Sequence, residues 1–163
     1  KEYTSSIDYL CNNNLLIKSS KVSKLESPLS KIKDDESFKL YYNDSGFLYK
    51  RMNVNTNRLL TNDKLLEVIY ENNVVATLNQ NGFNIYYYHS DGKCELDFVI
   101  QTRTGKIIPI EVIDMSLTKA KSLSLFMAKY GIDEGFRITE DNFNKKRGIK
   151  YIPTYAIYCL KNL

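Results

Sequence analysis

The sequence predicts an α/β fold of the α+β kind, in which helices flank a mixed central β-sheet. Three observations predict it. A helical pattern runs from Asp63 to Gln80, with Thr61 or Asn62 as its N-cap and Gly82 as its stop. Apolar, strand-like segments joined by short turns follow it, which is typical of hairpins. A second helix, from about Leu117 to Tyr130, separates these strands from later ones, so we expect helices packed on a sheet.

The chain before this long helix is predicted to contain shorter elements. Its first helix would take Ser5 or Ser6 as N-cap. A strand is indicated where apolar and polar side chains alternate. The predicted elements are a helix over Thr4 to Asn14, a strand over Phe38 to Tyr42, a turn or helix start leading into Phe47 to Met52, and a loop over Met52 to Asn62.

Several short strands are predicted after the long helix. The linker from Gln101 to Lys106 contains a glycine and is short, so its flanking strands should pair as a hairpin. Pro153 would open a last helix that ends at Leu160. The predicted strands are Asn84 to His89, Cys94 to Gln101, Lys106 to Val112, Phe136 to Thr139 and Ile149 to Ile152, with a basic loop at Lys145 to Gly148.

Composition restricts the class of protein. The 163 residues suit one compact domain, or one domain plus a fragment, and carry a net charge of +4. This mild basicity permits nucleic-acid binding, although an ordinary mixed surface explains it as well. The cysteines Cys11, Cys94 and Cys159 are scattered, which favours reduced thiols over a disulfide frame. The single histidine, His89, argues against a histidine-based zinc cluster.

No segment of the sequence resembles a signal peptide or is apolar enough to cross a bilayer. We therefore expect a cytoplasmic protein with no membrane partner. The chain starts without a methionine and at the threshold of a helix, so we expect it to be cut from a longer protein.

Two acidic residues, Asp97 and Glu111, lie in the apolar strands of the second hairpin. Burying a lone carboxylate is costly, so an acid in such a strand calls for a partner. Because side chains alternate along a strand, the two acids can point to the same side across the hairpin. Hard cations prefer oxygen ligands, so the pair predicts a Mg²⁺ or Mn²⁺ site that could hold a phosphate and activate a water.

A third acid, Glu71, lies on the apolar stripe of the long helix with Val68, Val75 and Leu78. It could supply a further metal ligand, directly or through a water. The alternative is a glutamate at the edge of the stripe that reaches solvent or pairs with a lysine. The helical spacing leaves both interpretations open.

The acidic pair lacks a neighbouring cation. In a metal-dependent hydrolase of this design, a lysine two residues after Glu111 would stabilise the developing negative charge, and that position holds Ile113. Lys119 falls on the sheet-facing side of the second helix with Leu123, and its amine could reach back toward Glu111 as a replacement catalytic residue. The alternative is a surface lysine whose amine stays in solvent.

Basic and aromatic residues suggest nucleic acid as a possible partner. The tyrosines Tyr86 to Tyr88 could stack on bases, although tyrosines in a strand more often pack in the core. Phosphate contacts would come from cationic side chains near the turns. The candidates are Lys93, Arg103, Lys106, Lys145, Lys146 and Arg147. No glycine-rich phosphate loop of the Walker type is present, so this chain cannot hydrolyse ATP by that route.

Seven segments follow one another along the chain: Glu71 to Ala76, Asn81 to Phe83, Tyr86 to Tyr88, Glu95 to Ile100, Ile107 to Val112, Lys121 to Leu123 and Tyr151 to Tyr155. As a series they resemble the C-terminal domain of unknown function found in a family of prokaryotic AAA+ ATPases, which looks like a member of the PD-(D/E)XK nuclease superfamily. The resemblance covers most of the chain, from about Thr4 to Leu163.

The resemblance implies a restriction-endonuclease-like domain over residues 61–163, preceded over residues 1–60 by a partial winged-helix-like segment and linker. It also implies an ATPase core upstream in the full-length protein. The superfamily's acidic residues fall on Glu71, Asp97 and Glu111, and its lysine falls on Ile113. We therefore expect a degenerate active site and a role in binding DNA or a partner, or in regulating the ATPase. An active Mg²⁺- or Mn²⁺-dependent deoxyribonuclease that uses Lys119, and a module that binds only proteins, are the alternatives.

Overall fold

A computed structural model describes residues 3–53, 55–90, 94–112 and 122–163 of the chain. Within these ranges the strands form one eight-stranded mixed sheet with flanking helices. The strands are β1 (Leu16–Val22), β2 (Asp34–Tyr42), β3 (Ile85–Ser90), β4 (Cys94–Gln101), β5 (Ile107–Glu111), β6 (Gly135–Thr139), β7 (Asn144–Lys146) and β8 (Ile149–Pro153). The helices are α1 (Thr4–Asn12), α2 (Ser45–Met52), α3 (Thr56–Leu60), α4 (Asp63–Gln80) and α5 (Ser122–Tyr130), with 3₁₀ segments at Leu29–Lys31 and Thr154–Asn162.

The strand order across the sheet is β2-β1-β3-β4-β5-β6-β8-β7. Strands β3, β4 and β5 form an antiparallel meander, while the pairs β1–β3, β5–β6 and β6–β8 are parallel. The mixed sheet predicted from the sequence is therefore confirmed. Strands β5, β6 and β8 run in the same direction, and β6 and β8 begin beside the middle of β5. We call the end where they start the entry end of the sheet and the other the exit end.

Helix α4 is delimited by the residues that the sequence indicated. The Asn62 side chain accepts a hydrogen bond from the Leu65 backbone N–H at 3.1 Å, which satisfies one of the free donors of the first turn. Beyond the last turn, Gly82 adopts a φ of +86°, a conformation that glycine reaches without steric cost. A cap at one end and a glycine at the other thus fix the length of this helix, which contacts β1, β2 and β3.

The sheet separates two hydrophobic cores. The α4-side core contains the apolar face of α4 and of the C-terminal 3₁₀ segment, and the α5-side core contains the apolar face of α5. Strand residues alternate between them. The α4-side core includes Val75, Leu78, Phe98, Ile100, Ile108, Ile110, Val112, Phe136 and Ile138, and the α5-side core includes Val22, Tyr86, Tyr88, Leu96, Val99, Leu123, Phe126 and Met127.

The N-terminal part of the chain contributes β1 and β2 to this same sheet. Strand β1 pairs in parallel with β3, with Ser20 beside Tyr86 and Val22 beside Tyr88. Buried Asn72 on α4 reinforces the connection, because its side chain accepts from the Tyr42 backbone N–H at 2.9 Å and donates to the Tyr42 carbonyl at 3.0 Å. The division of the chain at residue 60 and the winged-helix-like character of the first part stay predictions.

Several boundaries differ from the sequence prediction. Helix α1 begins after Tyr3 without a side-chain cap, so the predicted Ser5 or Ser6 cap is wrong. The predicted loop before Asn62 contains α3, whose first turn is capped by Asn55 through a 2.8 Å bond to the Arg58 backbone N–H. Lys145 and Lys146 of the predicted basic loop belong to strand β7, which pairs with β8, while Arg147 and Gly148 form the turn between the two strands. None of the described helices has the length and apolarity needed to cross a membrane.

Candidate functional site

Glu111, the last residue of β5, lies in the interior of the protein with 4% of its surface exposed. Its neighbours Ile110 and Val112 both point into the α4-side core. Alternation along the strand therefore directs Glu111 to the opposite face, the face that α5 covers. The parallel register places Arg137 of β6 directly beside it.

Arg137 binds this buried carboxylate. Its Nε donates to Glu111 Oε2 at 2.9 Å, and its Nη2 donates to the same oxygen. Its Nη1 donates to the Tyr151 hydroxyl at 3.3 Å, and the guanidinium carbon lies 5.5 Å from the centre of the Tyr151 ring. A buried carboxylate is tolerable when a cation with good hydrogen-bond geometry compensates it. The structure therefore supplies a partner for Glu111 from the neighbouring strand.

Asp97 is also buried, with 8% of its surface exposed. It lies in an irregular part of β4, because Leu96 and Val99 both pair with residues of β3 and both join the α5-side core although they are three residues apart. Its Oδ2 accepts a hydrogen bond from the Val112 backbone N–H at 2.9 Å. The Asp97 carboxylate thus contacts the residue that follows Glu111. That the two carboxylates share one metal pocket stays a prediction.

Glu71 on α4 faces the β2 side of the sheet. Its carboxylate accepts from the Tyr41 hydroxyl and lies 3.9 Å from the Lys39 ammonium. Lys39 also lies 3.4 Å from Glu95. Burial, together with the neighbouring charges of Glu71, Asp97 and Glu95, raises the pKa of Tyr41 well above its ordinary value. The partners of Glu71 are therefore Tyr41 and Lys39. Pairing with a lysine was part of the alternative interpretation of this glutamate.

The metal-binding role predicted for Glu71, Asp97 and Glu111 stays a prediction. Among the residues that the structure describes, no group of three or more histidine, cysteine, aspartate or glutamate side chains is arranged to hold a metal ion. Ile113, the proposed replacement lysine Lys119 and the basic residue Lys93 lie outside the described ranges.

The other predicted phosphate-binding residues do not surround the acids. Arg103 lies in the β4–β5 turn, and Lys106 directly precedes β5 at the entry end. Five residues of extended chain separate Lys106 from Glu111, which is about 16 Å at the rise of a strand. Lys145 and Lys146 lie in β7, three strands away from β5, and Arg147 follows them in the turn to β8.

The tyrosines predicted as a stacking platform lie mostly in the interior. Tyr86 is 6% exposed and Tyr88 is fully buried. The Tyr88 hydroxyl lies 2.9 Å from that of Tyr130 and accepts from Lys129 at 3.0 Å. The Tyr88 ring packs edge-on against Phe126 with centroids 4.7 Å apart. Core packing, the alternative given for these residues, therefore describes Tyr86 and Tyr88.

Sequence reasoning missed Arg137 and Tyr151. Arg137 had a detectable signal, because it is a basic residue between Phe136 and Ile138 in a strand that is otherwise apolar. A cation at that position calls for a buried anion in the same way that Asp97 and Glu111 call for partners. Tyr151 had no comparable signal, since only the strand register reveals what it contacts.

The fold and these contacts define a mixed α/β protein with two buried acids on neighbouring strands, one of them bound by an arginine. A model of the family described as "Domain of unknown function (DUF4143)" matches residues 67–157, from the second turn of α4 to the C-terminal 3₁₀ segment. The chain therefore belongs to the DUF4143 family. No curated protein and no solved structure matches it.

Proposed function

We propose that this chain carries a nuclease-like domain of the PD-(D/E)XK type whose acidic pair no longer catalyses cleavage. In this proposal it is the C-terminal region of an AAA+ ATPase-like protein and acts by binding DNA or a partner, or by regulating the ATPase. The observation that carries the proposal is the bond between Arg137 and Glu111.

The order of elements supports the nuclease-like part of this proposal. Helix α4 is followed by the β3–β4–β5 meander, then by α5 and the parallel strands β6 and β8. This is the order of helices and strands that the sequence pattern predicted for the segments that carry the family resemblance. The resemblance further suggests a winged-helix-like segment over residues 1–60.

The loss of catalysis is argued from charge. A catalytic metal would need Glu111 as a ligand, yet Arg137 donates two N–H groups to one oxygen of that carboxylate. A divalent cation at the same group would be repelled by the guanidinium, because the interaction of like charges is strong in a buried, weakly screened environment. The position of the superfamily's lysine holds Ile113, which cannot stabilise a developing negative charge. An internal ion pair thus replaces the metal in this proposal.

Metal titration tests the proposed loss of metal binding and cleavage. Isothermal titration of the chain with Mn²⁺ is expected to show no saturable binding that depends on Asp97, and supercoiled plasmid should not be nicked in Mg²⁺ or Mn²⁺. Arg137→Gln is expected to gain Mn²⁺ binding, and the matched variant Asp97→Asn/Arg137→Gln should lose it again. Circular dichroism of each variant confirms that it is folded.

The active deoxyribonuclease is the second candidate, favoured by the contact of buried Asp97 with the residue after Glu111. It would use Asp97, Glu111 and Lys119, with Glu71 as a further ligand. Saturable Mn²⁺ binding by the unaltered chain that Asp97→Ala removes, together with nicking that Lys119→Ala abolishes, would overturn our proposal in its favour. If the chain binds neither metal nor DNA, a module that binds only proteins accounts for the result.

A further inference from the structure

Two lysines meet one glutamate at the entry end of the sheet, and a third lysine lies beside them. Glu134, directly before β6, pairs through one carboxylate oxygen with Lys106 and through the other with Lys150 of β8. Lys145 of β7 lies directly opposite Lys150 in the antiparallel β7–β8 pair. We call Lys106, Glu134, Lys150 and Lys145 the lysine row, because they follow one another across the strands β5, β6, β8 and β7.

The members of the row share one face of the sheet. The Lys150 ammonium lies 5.8 Å from the centre of the Phe136 ring, which belongs to the α4-side core. Residues directly opposite each other on paired strands point to the same side, so Lys145 joins Lys150 there. Lys106 and Lys150 bind the two oxygens of the same Glu134 carboxylate, so their ammonium groups gather around it although their backbones lie on different strands.

The row carries excess positive charge. Lysines directly opposite each other in an antiparallel pair repel, which opposes folding. Both oxygens of Glu134 are engaged by Lys106 and Lys150, and within the described ranges Lys145 forms no salt bridge. The repulsion between two such lysines is relieved most when a ligand brings further negative charge to them.

Two arginines lie near the row. Arg103 belongs to the β4–β5 turn, just before Lys106, and Arg147 belongs to the β7–β8 turn; both are exposed. The β7–β8 turn is held closely against β6, because a Cβ at Gly148 would lie only 2.5 Å from the Asp133 carbonyl oxygen. Fixed strands and a tight turn thus present these cations at one end of the sheet.

We propose that the lysine row, with Arg103 and Arg147, binds the sugar–phosphate backbone of DNA. The inference rests on the proposed function and deepens it, because it selects DNA as the partner and the entry end as its surface. A DNA strand carries one negative phosphate per nucleotide, so its backbone complements a group of exposed lysines and arginines. The contacts are lysine and arginine charges, so binding is expected to be independent of sequence and sensitive to salt.

DNA binding by the full chain tests the inference. Fluorescence anisotropy of a labelled DNA duplex of mixed sequence would be measured between about 50 and 200 mM KCl, the range in which phosphate contacts weaken strongly. Lys145→Ala/Lys150→Ala is expected to weaken DNA binding about tenfold. It should also reduce the slope of log affinity against log salt concentration by the amount expected for about two lost phosphate contacts. The matched control Lys50→Ala/Lys64→Ala removes the same charge from exposed positions on α2 and α4 and should change neither quantity.

A variant that is expected to raise DNA affinity distinguishes a loss of binding from a folding defect. Glu134→Gln removes the negative charge of the row and is expected to bind DNA about threefold more tightly, which a misfolded protein would not do. Absence of DNA binding by the unaltered chain, or equal affinity of the two double variants, overturns the inference. Binding of polyglutamate in place of DNA overturns it in favour of an acidic protein partner. Metal titration and plasmid nicking test the proposed function separately, so failure of one is distinguishable from failure of the other.

Discussion

The two ends of strand β5 carry the same kind of ion pair in opposite surroundings. At the exit end, Arg137 binds Glu111 in the interior, with side chains 18% and 5% exposed. At the entry end, Lys106 pairs with Glu134, with side chains 49% and 18% exposed. A buried pair must be satisfied internally because water cannot replace a lost partner, whereas an exposed lysine exchanges its partner for water at little cost. The exit end is therefore suited to a fixed structural contact, and the entry end to reversible binding.

The strongest test of this comparison is removal of the buried arginine. Arg137→Leu is expected to lower the free energy of unfolding by about 3–5 kcal/mol, because it leaves the Glu111 charge buried without its arginine. Urea denaturation followed by circular dichroism measures the loss. Glu111→Gln/Arg137→Leu should recover much of it, since the double variant carries neither charge. A double variant as unstable as Arg137→Leu would show that packing, not charge, explains the loss.

The second test concerns Asp97 at the same end of the sheet. Asp97→Ala is expected to cost about 1–3 kcal/mol, because the buried Val112 N–H loses the acceptor that holds it at 2.9 Å. Asp97→Asn keeps an oxygen at that place and should retain more of the stability. Chemical denaturation of both variants gives the comparison, and equal losses would mean that the Asp97 charge matters more than its hydrogen bond.

The third test uses pH at the entry end. Hydrogen bonds from Lys106 and Lys150 lower the pKa of Glu134 from its ordinary value of about 4.5. A carboxyl group with a lowered pKa in the folded state contributes stability that is fully present above about pH 4.5 and is lost as the pH falls toward the folded pKa. Glu134→Gln should therefore destabilise the protein near neutral pH and matter less in acid. Melting temperatures of both proteins from neutral pH downward measure this, and a constant difference would contradict it.

The smallest expected effect is that of a single exposed lysine. Lys106→Ala should change the free energy of unfolding by less than about 1 kcal/mol, and high salt should reduce that change further because it screens exposed charges. Denaturation at low and high NaCl concentration provides the measurement. A loss comparable to that of Arg137→Leu would remove the distinction between the two ends of the sheet.

Local sequence signals predicted most helices and strands because their causes are local. The Asn62 cap and Gly82 delimit α4, and the glycine-containing linker after Gln101 joins β4 to β5. Errors occurred where a local signal was weak. Helix α3 is only five residues long, and the sequence pattern predicts a loop there. Strand β7 is recognisable as a strand only through its pairing with β8.

The candidate site was predicted less completely. Asp97 and Glu111 stood out because acids are rare in apolar strands, and the structure buries both. Their partners were not predictable in the same way. Arg137 is 26 residues from Glu111, and the contact exists only because β5 and β6 pair in parallel with these residues in register.

The sequence by itself determined the types of element, the family-specific segments and the presence of two acids in strands, since periodicity, caps and turns act over a few residues. Tertiary structure decided which charges meet. It directed Arg137 to Glu111 in the interior and brought Lys106, Glu134, Lys150 and Lys145 into one exposed row, because strand order and register join residues that no local rule connects.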